Sequence, residues 1–179
     1  MLLDKTAPAI TRLFEIDLDL CRRCTRLQES PAARVFFRSV SRAGDGPCWF
    51  ALAAGLVVFG GTSSLPAVLR MSAVGVLAAL VSRAIKSWVN RPRPYRIDPR
   101  IVAACEALDP WSFPSGHTLH AVAFNGVLAV DHPLLAAALL PWTAAIALSR
   151  LVLGLHYPSD VGAGAVIGSI LAAAVVAFG

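Results

Sequence analysis

Charge is scarce in this chain. Only 15% of its 179 residues are Asp, Glu, Lys or Arg, against about 25% in a typical soluble domain. Aromatic residues make up 8%, and no segment interleaves them with basic residues, which sets nucleic acid aside as a partner. Four cysteines are present, and only Cys21 and Cys24 lie close together, as Cys-Arg-Arg-Cys. A structural zinc site needs a second close pair of ligands, and a redox pair needs a strand–helix–strand setting. Neither is found, so the cysteines read as ordinary residues of an amphipathic helix, and no metal site is expected. An apolar leader is also missing, because Asp4, Glu15, Asp17 and Asp19 fall where its core would lie. Sustained apolar–polar alternation is absent, which excludes a strand-built membrane barrel. Tandem repeats, low-complexity tracts and a flexible linker are absent too.

What is abundant is apolar side chain, at 56% of residues. From Cys48 onward the chain reads as five apolar spans, at about 48–65, 67–85, 116–131, 134–152 and 159–178. Each is near the roughly 20 residues that cross a hydrocarbon core. The third is short and carries His117, His120 and Asn125, so its entrance must face protein or water. Gly162, Gly164 and Gly168 would let neighbouring helices approach closely, and Asn125 is expected to bond between helices. Trp88, Tyr95 and Trp111 suit an interfacial belt. The expected fold is all-α, a polytopic membrane helix bundle of about five transmembrane helices.

Residues 1–46 hold most of the charge. Ile10, Leu13, Phe14, Leu20, Cys24 and Leu27 fall near one helical face, with Arg12, Arg22, Arg23 and Arg26 between them. This is the pattern of a helix lying in the membrane interface, and packing against the rest of the domain is compatible with it. Pro31 opens a second short helix bearing Phe36, Phe37 and Val40, and Gly44-Asp45-Gly46-Pro47 ends it.

Alternating passes bring the ends of the spans near Lys86, Gly116, Arg150 and Asp160 to one face. Three polar clusters meet there: Lys86 to Pro94, Phe113 to His117, and Ser149 to Asp160. Snorkelling would explain one arginine at a span end. It does not explain two histidines, a carboxylate and a Ser-Gly helix start converging on several cations. Lys86, Arg93 and Arg150 can grip a phosphoryl group. Ser115 can cap a helix whose bare N–H groups favour an anion, and Gly116 lets an oxyanion approach the backbone. Pro158 can open the fifth span, placing Asp160 close to His156. A carboxylate on one imidazole nitrogen makes the other more basic, and His156 becomes a credible nucleophile. His120 reads as a packed histidine, and Arg91 and Arg96 as membrane anchors or headgroup contacts.

The three clusters resemble those of the type 2 phosphatidic acid phosphatases. That family's pattern is Lys-x6-Arg-Pro, then Pro-Ser-Gly-His, then Ser-Arg-x5-His-x3-Asp. Lys86, Arg93 and Pro94 meet the first part, and Pro114, Ser115, Gly116 and His117 the second. Ser149, Arg150, His156 and Asp160 meet the third. The resemblance implies that His156 attacks phosphorus to form a phosphohistidine, with Asp160 orienting it. It implies that His117 protonates the leaving oxygen and then activates water. Lys86, Arg93, Arg150, Ser115 and Gly116 would hold the phosphate, with no metal and no other cofactor. The division expected is an interfacial segment at 1–46 and a transmembrane phosphatase domain at 47–179.

The implied substrate is a lipid phosphate of the phosphatidylglycerol phosphate, phosphatidate or polyprenyl phosphate or diphosphate class. Membrane lipids are the expected surroundings, and no obligate protein partner is evident. Transfer of the phosphoryl group to an acceptor lipid is the alternative. The net charge of +5 suits anionic partners. The expected location is the inner or plasma membrane. Lys5 and seven arginines between Arg12 and Arg42 favour a cytoplasmic site face.

Overall fold

A computed structural model describes residues 7–178, with side chains from residue 11 onward. Asp4, Lys5 and the side chain of Ile10 lie outside the described residues. Among the described residues eight helices follow in order: α1 (Ala7–Thr25), α2 (Pro31–Gly44), α3 (Pro47–Gly60), α4 (Leu65–Val89), α5 (Pro94–Ile97), α6 (Gly116–Asp131), α7 (Pro133–Val152) and α8 (Pro158–Phe178). Single 3-10 turns join α1 to α2 at Arg26–Glu29, and α3 to α4 at Gly61–Ser64. The fold is all-α, as expected.

Proline opens α2, α3, α7 and α8 at a position where its missing N–H goes unneeded. Ser30 also caps α2 through its side chain. Among the described residues, three stretches are long and apolar enough to cross a membrane: Pro47–Val89, Pro133–Val152 and Pro158–Phe178. The first is α3 and α4 joined through the turn after Gly60. The first two expected spans therefore need moving. Helix α3 stops at Gly60, because Gly61 takes a φ of 60° that other residues resist. Helix α4 runs on to Val89, so Lys86 lies in its last turn and not beyond it. Asn90 ends α4 with left-handed backbone, donating its N–H to Lys86 O at 3.0 Å.

Helix α6 is the hub, packed against α4, α7 and α8. Its 16 residues reach about 24 Å, short for a bilayer. Leu119, Ala121, Ala123, Val127 and Leu128 are fully buried by the surrounding helices. Close approach of α8 depends on glycine. A Cβ at Gly164 would lie 2.6 Å from Ser115 O, and one at Gly168 2.5 Å from Leu119 O. Large apolar side chains face outward, including Phe50, Phe59, Leu69, Leu134 and Ile170, the surface that lipid tails would cover. Asn125 is buried, but its Oδ1 finds no partner among the described residues, so the expected bond between helices is not seen.

Helix α1 and the turn after it present two different stripes. Leu13, Leu20 and Leu27 are exposed together with Ile16, and the buried side is Asp17, Leu18, Cys21, Thr25 and Gln28. The periodic apolar stripe is thus the outer face. A second, more polar stripe packs on the bundle next to α7 and α8.

Candidate active site

The three polar clusters come from distant parts of the chain, and backbone hydrogen bonds stitch them together. Ser112 N–H donates to Arg91 O at 2.9 Å, Ser115 N–H to Asp160 O at 3.0 Å, and Ala104 N–H to Leu153 O at 3.1 Å. Pro92 and Trp111 form an isolated antiparallel bridge. The long 90–115 connection is thereby folded back over the ends of α4, α7 and α8.

His156 sits at the centre, in the turn between α7 and α8, with a relative exposure of 1%. An NH group of Arg93 lies 3.2 Å from its Nε2. Guanidinium only donates, so Nε2 must be the unprotonated, accepting nitrogen. The ring proton is then on Nδ1, which faces Asp160 Oδ2 at 3.5 Å. That separation is long for a hydrogen bond, as such contacts often are before substrate tightens them. Burial, reinforced by Arg150, Arg93 and Lys86, holds the His156 imidazole well below its ordinary pKa. The accepting Nε2 is therefore neutral and points toward the Arg93 guanidinium.

Arg93 is buried, and it also donates to Leu155 O at 2.8 Å and Asp109 O at 3.0 Å. Lys86 Nζ meets Asp109 Oδ2 at 2.5 Å, and Arg93 meets Asp109 Oδ1 at 3.2 Å. Burial pushes the Asp109 carboxyl up, but the Lys86 and Arg93 cations outweigh it and leave its pKa below the usual value. Arg150 is buried and donates to Ser41 Oγ of α2. Its Nε has no hydrogen-bond partner among the described residues. A buried guanidinium left so under-satisfied is suited to receive an anion.

Ser115 precedes α6 but does not cap it through its side chain, contrary to the expected role. Its Oγ instead pairs with Thr118 Oγ1 at 3.0 Å. The backbone N–H groups at the start of α6 are left uncapped by that side chain. Gly116 holds this start close to α4, where an added Cβ would meet Ser82 Oγ at 3.4 Å. His117 lies with its Nε2 against Asp45 Oδ1. His120 donates its Nδ1–H to Gly116 O, 2.8 Å away, and packs beside Phe124, as a structural histidine would.

Several of these partners escaped the sequence reading. Asp109 holds Lys86 and Arg93, and Asp45 lies against His117. Arg91 is neither a free anchor nor a headgroup contact: it reaches Asp160 Oδ1 at 2.6 Å, Ser159 Oγ at 2.7 Å and Asp17 Oδ2 at 2.7 Å. Its guanidinium also lies 3.8 Å over the Tyr157 ring. Asp17, from α1, accepts the Ser159 N–H at 3.0 Å in the first turn of α8. The thiol of Cys21 donates to His156 O at 3.5 Å, and burial holds its pKa up at about 12. The N-terminal helix is thus part of the wall around His156.

The model of the PAP2 superfamily matches residues 67–179. A decaprenylphosphoryl-5-phosphoribose phosphatase of Mycobacterium tuberculosis is 33% identical over 153 residues, covering 75% of this chain and 83% of that protein. The protein of the same name from Mycolicibacterium smegmatis is 39% identical over 132 residues, covering 71% and 68%. Among solved structures, the fold matches the first transmembrane PAP2 type phosphatidylglycerolphosphate phosphatase from Bacillus subtilis with a TM-score of 0.73 at 21% identity. That match covers 93% of this chain and 86% of the other. It also matches Aquifex aeolicus LpxE with a TM-score of 0.74 at 28% identity, covering 90% and 94%.

Proposed function

The chain belongs to the PAP2 superfamily, and from that premise we infer how its residues carry out the hydrolysis of a lipid phosphate at the membrane surface. It is an integral membrane lipid phosphatase that works through a phosphohistidine. The observation that carries the assignment of roles is the orientation of His156. Its accepting Nε2 faces Arg93 and its Nδ1–H faces the buried carboxylate of Asp160.

In the proposed mechanism the phosphoryl group settles among Lys86, Arg93, Arg150, the Ser115 side chain and the Gly116 N–H. The Asp109 carboxylate holds two of the same donors, Lys86 and Arg93, so an arriving phosphate competes with it. Nε2 of His156 attacks phosphorus as the bond to the ester oxygen breaks. His117 gives a proton to that oxygen. Asp160 stabilises the positive charge that His156 acquires. Water then attacks the phosphohistidine, His117 takes its proton, and phosphate leaves with His156 restored. The cations supply most of the rate gain, because they are fixed in place before charge develops in the transition state.

For the substrate, the mycobacterial relatives named above, each over 30% identical, favour a phosphomonoester on a polyprenyl-linked headgroup over phosphatidate or phosphatidylglycerol phosphate. The division into an interfacial segment, 1–46, and a transmembrane phosphatase domain, 47–179, fits the outward apolar stripe of α1. The packing of α1 and α2 over the site loops supports placing both on one membrane face. Their arginines favour the cytoplasmic side of the cell membrane. Labelling of a cysteine at position 5 only after permeabilisation would agree, and labelling in intact cells would reverse the placement.

The test of substrate is phosphate release from a panel of polyprenyl phosphosugars, polyprenyl phosphates and glycerophospholipid phosphates, with His156→Ala as control. Preferential release from the polyprenyl-linked monoester supports the proposal. Release only from glycerophospholipids refutes it, and release only in the presence of an acceptor lipid points to transfer.

A further inference from the structure

A second concentration of positive charge lies away from the catalytic cations. A cavity of about 500 Å³ opens between α1, α2 and the 98–104 segment. Arg22, Arg26, Arg34, Arg38 and Arg100 line it, and none of them enters the chemistry described above. Its volume lies in the range typical of small-ligand sites.

Four of these arginines are held in place but only partly neutralised. Asp98 binds Arg22 at 2.6 Å and Arg100 at 3.0 Å. Arg34 Nε donates to Gln28 O at 2.9 Å, and Arg38 Nε to Ala104 O at 2.5 Å. A backbone carbonyl orients a guanidinium without cancelling its charge. Only Glu29 on the lining and Asp98 behind it oppose five cations. Planar forks fixed in this way match phosphate oxygens.

The elements that form the cavity also carry apolar side chains outward. Leu20 and Leu27 are exposed beside Arg22 and Arg26, and Val35 and Phe36 beside Arg34 and Arg38. A basic cavity flanked by exposed apolar side chains belongs at the depth of lipid headgroups. We propose that this cavity binds the phosphate headgroup of an anionic membrane lipid that is not the one being hydrolysed. The proposal rests on the membrane assignment and is independent of which substrate the enzyme takes.

The cavity also backs onto the catalytic turn. Ala104, on its lining, donates its N–H to Leu153 O. Two residues further on, Leu155 O accepts from Arg93, and His156 follows. A bound headgroup would brace this wall and favour the productive orientation of His156.

The experiment compares wild type with Arg26→Gln/Arg34→Gln, each placed in nanodiscs of phosphatidylcholine alone or doped with phosphatidylglycerol. Native mass spectrometry reads the phosphatidylglycerol retained, and lipid-phosphate turnover and thermal midpoint are read in parallel. Each arginine facing an anionic lipid contributes about fivefold in affinity, so the pair should lower retention by about twenty-fivefold. The variant should keep its midpoint and its turnover in phosphatidylcholine discs, and lose any stimulation by phosphatidylglycerol. Equal retention by both proteins overturns the proposal. So does displacement of the retained lipid by millimolar inorganic phosphate, which would mark a site for a free anion. Retention is read without turnover, so an error in the proposed substrate leaves this result interpretable.

Discussion

Replacing Arg91 with methionine tests whether an arginine outside the three motifs governs the nucleophile. Arg91 bridges two buried carboxylates, Asp160 at 2.6 Å and Asp17 at 2.7 Å, and its side chain is 19% exposed. Methionine keeps the apolar stem against Tyr157 and removes the charge. Two neighbouring carboxylates are then left without their cation, and breaking a buried pair in this way costs about 3–5 kcal/mol. Part of that cost appears as lost stability. The rest appears at Asp160, which must stay aligned with Nδ1 of His156 as charge develops. If about 3 kcal/mol falls on the transition state, kcat drops about a hundredfold. KM should change little, because Arg91 does not belong to the phosphate cradle. Arg91→Lys should fall between, since an ammonium can serve one carboxylate but cannot fork to both. The assay is steady-state release of phosphate from lipid substrate in detergent, with thermal unfolding recorded on the same samples. A raised KM with unchanged kcat would refute the reasoning and return Arg91 to the role of a headgroup contact.

Asp109→Asn should tighten inhibition by inorganic phosphate or vanadate about threefold to tenfold, because Lys86 and Arg93 lose a competing carboxylate that is itself partly exposed. Weaker inhibition would mean that Asp109 assembles the cradle instead of competing for it. The depressed His156 pKa has a thermodynamic consequence as well. Below about pH 6.5 the unfolded chain takes up a proton that the folded one refuses, so stability falls as pH falls through that range. His156→Gln should flatten this slope in thermal unfolding from neutral pH downward, and parallel slopes would contradict the assignment. Gly164→Ala places a methyl group 2.6 Å from Ser115 O. A loss of about 1–3 kcal/mol in stability, with reduced kcat, is expected, and an unchanged thermal midpoint would show that α6 and α8 can part freely.

The site residues of the three clusters were legible because membrane helices make polar residues conspicuous. Lys86, Arg93, Arg150, His117, His156 and Asp160 stand at the ends of apolar runs, where few charges are tolerated without a reason. Proline and glycine likewise marked most helix starts and the turn at Gly44–Pro47. The partners of those residues were hidden because they act across long sequence separations. Asp17 meets Arg91 from 74 positions away, and Ser41 meets Arg150 from 109. Asp45 passed as part of a stop signal, although the same turn delivers its carboxylate to His117. In α1 the strongest apolar periodicity identified the outward face. The inward face holds Asp17, Cys21, Thr25 and Gln28, and polar residues that pack do so through specific partners that periodicity cannot register. The length of α4 was missed for a local reason, since its end is set by the left-handed Asn90 before Arg91-Pro92 and not by loss of apolar character.

The most direct test of the account is to trap the covalent intermediate. Enzyme would be mixed with a lipid monoester carrying labelled phosphate, quenched in base, where phosphohistidine survives, and digested for peptide mapping. The account predicts label on His156, none in His156→Ala, and slower appearance and decay of label in His117→Ala. Label on another residue, or steady phosphate release with no label at any time, would contradict the assignment of His156 as the nucleophile.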